Sequence, residues 1–531
     1  MLEFDYIVVG GGSGGCTVAS RLSEDPNVSV CLIEAGGEGK NSIIRMPAGI
    51  AAILSTPILN WFFKPIKQKG LNGRQGYQPR GKTLGGSSAI NAMLYLRGNQ
   101  ADYDEWRDLG NTGWGWKDVL PYFKKSEGNS RGADKLHGEN GPLSVCDPIS
   151  THKIAKAFIE AAQETQLPNN DDFNGPTQEG VGLYQVTQKN GERCSAAAAY
   201  IHPHMDRPNL VVITDSVAEK IVFVGNRATG VRFKTKGRPS KIFKCTREVV
   251  LAGGAFNSPQ LLMLSGIGPA DDLRTHGIEV VVDSPEVGEN LQDHIDYVTV
   301  HKSLKKDTFG ISFRGIGDIF KGIKDWRRDR KGKLTTTFAE AGGFVKSSPE
   351  IDRPDLQYHF VVGIVDDHNR KLHCGHGYSC HVCVLRPKSR GNVRLASANY
   401  KDKPRIDMNF LSEEEDMKLL VKGFHAMRTI LESPALQPWR GKELYTEGVT
   451  SEKELEQIIR NRADTVYHPV GTCRMGSDKR AVVDPKLRVR GVTGLRIADA
   501  SIMPKIVGGN TNAPTIMIAE KCADMMLKEH K

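Results

Sequence analysis

Hydrophobic positions along this chain come in short runs that stop at glycine. Residues 5–9 form a β-branched run leading directly into Gly10-Gly11-Gly12-Ser13-Gly14-Gly15, and residues 16–22 then carry small side chains at helical spacing. This predicts strand, turn and helix. A second buried run, 28–33, ends at Glu34 and closes a βαβ unit with an acidic residue at its second strand tip. Residues 80–106 read as a Gly/Ser turn feeding a buried helix start, and 124–146 as a polar surface connection without chemistry. Alternation over 210–214, 218–224 and 229–234 predicts a small antiparallel meander. Strand, turn and helix then recur at 248–252, Gly253-Gly254-Ala255 and 258–265. From about 297 to 463 the pattern shifts to long amphipathic and strand segments, before a short strand at 494–498 and a terminal helix at 515–527. The first and last segments read as one sheet with the middle inserted. The fold class is α/β.

Composition narrows the function classes. The chain has 531 residues, 39% of them apolar, and 56 glycines without a Gly-X-Y period, so it can bury a large core and is not collagenous. Its 72 basic and 62 acidic residues leave +10 diluted over a large surface, which is no nucleic-acid signature. Ten irregularly placed cysteines, and an opening with Glu3 and Asp5 and no basic region, point to a reducing, cytoplasmic compartment. The longest apolar stretch, 46–63, is interrupted by Pro47, Gly49, Pro57 and Asn60, so no spanning helix is expected.

The glycine turn has a chemical use. Backbone N–H groups and a helix N-terminus can approach a pyrophosphate there, while Glu34 accepts from ribose hydroxyls. The turn alone does not distinguish NAD from FAD. Four longer segments do: the N-terminal turn with Glu34; RGKTLGGSSAINAMLYLRGNQADYDEW at 80–106; GAFNSPQLLMLSGIGP at 254–269 with VGENLQDH at 287–294; and YHPVGTCRMG at 467–476 with GLRIADASIMPKIVGGNTNAPTIMIAEKCADMM at 494–526. In these the chain resembles the glucose-methanol-choline (GMC) family of flavin-dependent oxidoreductases.

The resemblance implies a Rossmann-like FAD-binding domain (1–148, 190–296 and 464–531) and an inserted substrate domain with a mostly antiparallel sheet and helices (149–189 and 297–463). It implies that Gly10, Gly12, Ser13, Gly14, Gly15, Glu34 and Ala35 hold the dinucleotide. Leu84, Gly85, Gly86, Asn91, Ala92 and Met93 would line the flavin, the backbone of Val217 the adenine, and Asp499 and Ala500 the ribityl-phosphate region, with Thr511 on the cofactor side. Where some members attach FAD through a histidine, this chain has Ile90, so the FAD is expected to be noncovalent. His468 matches the family's catalytic histidine, and Asn510 its second active-site position. Asn512 reads as a structural or flavin-side neighbour.

The implied reaction is oxidation of an uncharged primary alcohol to an aldehyde, with hydride transfer to flavin N5 and a quinone-like acceptor, because residues 355–395 look like bacterial aliphatic or polyethylene-glycol alcohol dehydrogenases. The alternatives are an oxidase using oxygen, a choline-type dehydrogenase and a flavin-containing hydroxynitrile lyase. Two further signals have bland readings. Residues 373–383 concentrate His and Cys but match no zinc spacing, and 380–385 reads as a strand, so no metal is expected. Residues 313–334 carry eight basic and three acidic residues, with Ile316, Ile319, Phe320, Ile323 and Trp326 at helical spacing. The stripe is expected to pack onto the substrate domain; peripheral contact with an anionic inner membrane is the other reading.

Overall fold

The computed structural model describes residues 2–529. Its first sheet contains β1 (Glu3–Val9), β2 (Val30–Ile33), β3 (Leu210–Ile213), β4 (Ser216–Val224), β5 (Arg227–Thr235) and β6 (Ser240–Leu251), in the spatial order β3-β2-β1-β6-β5-β4, and the strand Leu495–Ile497 also pairs with β6. Pairing is parallel from β3 through β6 and along Leu495–Ile497, and antiparallel across β6-β5-β4. Residues 210–213 therefore do not belong to the expected meander; they extend the parallel sheet beside β2 as its partly exposed edge strand. Helices Ser13–Leu22 and Asn512–Glu529 pack together on this sheet. The C-terminal ends of β1, β2 and β6 open on one edge, where ligands bind in parallel α/β sheets.

The second sheet runs in the order Arg440–Glu443, β7 (Ile295–Ser303), β10 (Gly375–Val384), β9 (Leu356–Val361), β8 (Ala339–Val345) and Gly180–Leu183, antiparallel throughout. Helices Lys153–Glu164 and Glu414–Glu432 cover one face, with Phe158 stacked on Phe360 at 4.5 Å. Along β9 the period-two rule sends Tyr358 and Phe360 into that core, while His359 and Val361 line the cavity on the other face. Strand β10 contains Cys380, His381 and Cys383 as expected, and among the described residues no group of three or more His, Cys, Asp or Glu is arranged to hold a metal ion.

Three local expectations need correction. After the Gly/Ser turn, Gly86–Ala89 forms a single helical turn before the chain straightens, because Gly85 and Gly86 adopt positive φ and Asn91 Oδ1 accepts from the N–H of Met93, and helix Gln100–Asp108 begins only later. Residues 124–146 are not merely surface connection. Glu127 pairs with Arg97 at 2.6 Å with both side chains buried, and His137 bridges Glu127 and Asp172, which hold its pKa up at about 9 against the opposing effect of burial. In helix Phe313–Asp329, Trp326 is 2% exposed and Ile323 packs beside it, but Phe313 is 99% and Phe320 69% exposed, with Ile316 and Ile319 also outward. Most of the apolar stripe thus remains uncovered. Among the described residues no helix is long and apolar enough to cross a membrane.

Candidate active site

A cavity of about 680 Å³ runs from the C-terminal edge of the first sheet to the open face of the second. Gly10, Gly12, Ser13, Gly14, Glu34, Ala35, Gly86, Asn91, Ala92, Met93, Val217, Asp499, Ala500 and Thr511 line it, as do His468 and Asn510. Gly15, Leu84 and Gly85 stand behind the wall. A Cβ on Gly15 would fall 1.8 Å from the carbonyl oxygen of Gly10, so glycine is needed for the helix to start this close to the strand. Leu84 and Gly85 brace the turn through N–H bonds to the carbonyls of Gly37 (2.8 Å) and Gly11 (2.7 Å).

The end of the cavity at the glycine turn is built from backbone. No side chain caps helix Ser13–Leu22, so its first-turn N–H groups are left for a ligand, and Ser13 Oγ donates to Asn512 Oδ1 at 2.8 Å to tie this N-terminus to that of the last helix. Glu34 accepts from the N–H of Gly11 and of Gly36, each at 2.7 Å, and burial nevertheless pushes its carboxyl up to about 7. Asp499 accepts from Gly254 N, Ser258 Oγ and Ser501 N, joining the start of helix Gly254–Leu264 to the turn Ala500–Ile502. Asn91 Oδ1 also accepts from Arg193 at 2.8 Å, and Met93 sits at φ 64°, a strained backbone held at the cavity wall.

At the other end His468 is 6% exposed. Tyr467 before it has φ 76°, and the His468 N–H donates to Asp293 Oδ1 at 2.8 Å, so backbone on both sides fixes where the ring sits. Burial, then His294, His359 and Arg80, hold its pKa well below the usual imidazole range, and the ring is neutral at pH 7. Asn510 Oδ1 accepts from Gln357 Nε2 at 3.1 Å, and the same side chain also meets the His359 ring. Sequence reasoning missed His359 and His381, both on this wall. His381 Nδ1 is 2.7 Å from Asp296, whereas His359 is buried beside Asn510. The available signal was period two in β9, where Gln357 and His359 interrupt an apolar strand on one face.

GMC oxidoreductase family models match residues 4–296 and 387–519. The chain belongs to the GMC oxidoreductase family. It is 48% identical over 530 residues to an alcohol dehydrogenase [acceptor] of Pseudomonas putida, covering 99% of this chain and 96% of that one. It is 44% identical over 537 residues to the mitochondrial choline dehydrogenase of Homo sapiens, covering 99% and 90%. Among solved structures, pyridoxine 4-oxidase from Mesorbium loti superposes with a TM-score of 0.90 at 32% identity, covering 99% of each chain. As a GMC oxidoreductase the chain is an FAD-dependent enzyme acting on CH–OH donors. The cavity suits FAD: an uncapped helix N-terminus, a buried carboxylate at a strand tip and a glycine turn stand at one end, and the Asn91–Met93 wall and His468 at the other.

Proposed function

We propose that this chain oxidises uncharged primary alcohols to aldehydes with noncovalently bound FAD, and that the electrons leave to a quinone-like acceptor. The observation that carries the reading is a neutral, buried His468 on the wall of the cavity that also contains the dinucleotide turn. Gly10, Gly12, Gly14 and the helix start at Ser13 would hold the pyrophosphate, Glu34 and Ala35 the ribose, Val217 the adenine, and Asn91, Ala92 and Met93 the ring system, with Asp499, Ala500 and Thr511 alongside. FAD supplies the hydride acceptor. His468 takes the hydroxyl proton, while the Asn510 amide donates to the same oxygen and stabilises its growing charge. The bulky apolar Ile90, itself on the wall, stands where covalent attachment would need a nucleophile.

The wall disfavours a cationic substrate. Among the described residues its carboxylates are Glu34 and Asp499, both in the dinucleotide segments, and Asp402, beside Gln260 of helix Gly254–Leu264. Trp61, Phe63, Phe309, Phe338, Val361, Ile364 and Val466 supply apolar surface instead. The mouth supports a surface-bound acceptor. Ile311, Ile319 and Leu372 line the cavity and are also exposed, continuing into the uncovered face of helix Phe313–Asp329 with Phe313 and Phe320. Arg314, Lys321, Lys324, Arg327 and Arg328 on that helix match an anionic bilayer on the cytoplasmic side. We assign residues 1–148, 190–296 and 464–531 to the cofactor half and 149–189 and 297–463 to the substrate half. Anaerobic bleaching of the flavin by a panel of alcohols tests the reading, and peroxide release in air tests the acceptor. No bleaching by any alcohol would sink the first, and fast peroxide-producing turnover the second.

A further inference from the structure

We infer that His294 is a positioning residue that fixes the tautomer of His468, so that Nδ1 of His468 carries the proton and Nε2 presents the lone pair to the substrate. This rests on the reading of His468 as the base. His294 immediately precedes β7 and is fully buried. Its Nε2 lies 3.1 Å from the carbonyl oxygen of Leu385, just beyond β10. A carbonyl only accepts, so that nitrogen carries a hydrogen. Burial and the Arg386 guanidinium push the His294 pKa down to about 3, so the ring holds no second proton and its Nδ1 is bare. This bare Nδ1 lies 2.9 Å from Nδ1 of His468. Two lone pairs do not meet at that distance, so Nδ1 of His468 donates. The same desolvation keeps His468 from holding two protons, and its remaining nitrogen, Nε2, is the acceptor. The rings stand at 86° with centroids 5.1 Å apart, which aims one nitrogen at the other without stacking.

The partner's charge matters. A carboxylate behind the base would raise its pKa, whereas a neutral imidazole orients it and leaves it unprotonated at mildly acidic pH. The charged and titratable groups around the pair are Arg386 and Asp102 on the His294 side, and Arg80, His359 and Asp293 on the His468 side.

The test is ¹⁵N NMR of imidazole-labelled, FAD-loaded protein, with the His468 signals assigned by their loss in His468→Ala. The wild-type protein should show His468 protonated at Nδ1 and bare at Nε2. His294→Leu, which removes the acceptor, should shift His468 toward the Nε2-protonated form and slow anaerobic flavin reduction about 10²-fold, the low end of what general-base assistance supplies, with little change in alcohol affinity. His294→Asn, whose amide oxygen can stand near the lost Nδ1, should recover part of both. An Nε2-protonated His468 in the wild type would overturn the inference, as would the same tautomer with and without His294. The spectrum needs no substrate, so failure of the alcohol reading, seen as absent bleaching, is read separately from failure of the lock.

Discussion

The sharpest prediction concerns how the reductive step responds to acid. An ordinary imidazole titrating near 6.5 is about 91% neutral at pH 7.5 and about 9% neutral at pH 5.5, so a rate proportional to the neutral form would fall about tenfold over that interval. His468 is not ordinary. Burial, His294, His359 and Arg80 all disfavour its protonated form, so its pKa is lowered and the active neutral form extends further into acid. The expected fall in the limiting rate of anaerobic flavin reduction between pH 7.5 and 5.5 is therefore well short of tenfold, measured by stopped-flow bleaching at saturating alcohol. His468→Ala, loaded with FAD, should lose about 10²–10⁴-fold at every pH in the interval, or about 3–5 kcal/mol of barrier. A tenfold decline following one ionisation near pH 6.5 would show that His468 is solvated as the base. A wild-type rate in folded His468→Ala would remove the ring from the chemistry altogether.

Four further outcomes follow from particular contacts. Acid precipitation should release the flavin into the supernatant because Ile90 cannot bond it; a yellow washed pellet would contradict this. Choline should bleach the flavin far more slowly than a neutral alcohol of similar size, measured anaerobically, because no carboxylate lines the cavity near His468; equal rates would refute the assignment of an uncharged substrate. Soluble quinone should sustain turnover faster than air, and the protein should co-sediment with anionic vesicles at low salt but less at high salt, with Phe313→Ser and Phe320→Ser weakening the binding; salt-independent failure to bind would leave the basic helix without a membrane role. Glu127→Ala should destabilise the protein by about 3–5 kcal/mol in chemical denaturation, since it strands the buried Arg97 guanidinium; a change below about 1 kcal/mol would mean that the pair is solvated.

The cofactor end is legible in sequence because its determinants are local. A glycine turn needs its residues side by side, and Glu34 is found by following one strand, one helix and the next strand. What escapes is whatever depends on distant pairing. Leu-Val-Val-Ile at 210–213 reads alike as a meander strand or as a parallel one, and only Val30–Ile33, far away in the chain, decides. Polarity misleads at 124–146, where Glu127 looks exposed until Arg97 and His137 are folded against it. The helix at 313–329 misleads in the opposite sense. Its periodic apolar stripe is what a packed helix shows, but the structure covers only the Ile323–Trp326 end, and nothing in the spacing separates a stripe that packs from one that stays bare.

The His468 end of the cavity shows why motif matching finds one residue but not its surroundings. Asp296 lies two residues beyond His294 and is a natural candidate counter-charge for a cationic alcohol. In the fold its Oδ2 accepts from His381 Nδ1 at 2.7 Å, and it is His381, not Asp296, that reaches the cavity wall. Burial raises the Asp296 pKa, although His381 opposes this. A quaternary ammonium entering here would lose its hydration and gain no carboxylate, only the ring faces of Phe309 and Phe338 in partial return, a cost that an uncharged alcohol does not meet. The same apolar walls lead outward to Ile311, Ile319 and Leu372 at the exposed mouth. An alkyl alcohol and a quinone-like acceptor are both apolar with a small polar head, so one passage with these apolar walls would serve each half of the proposed cycle in turn.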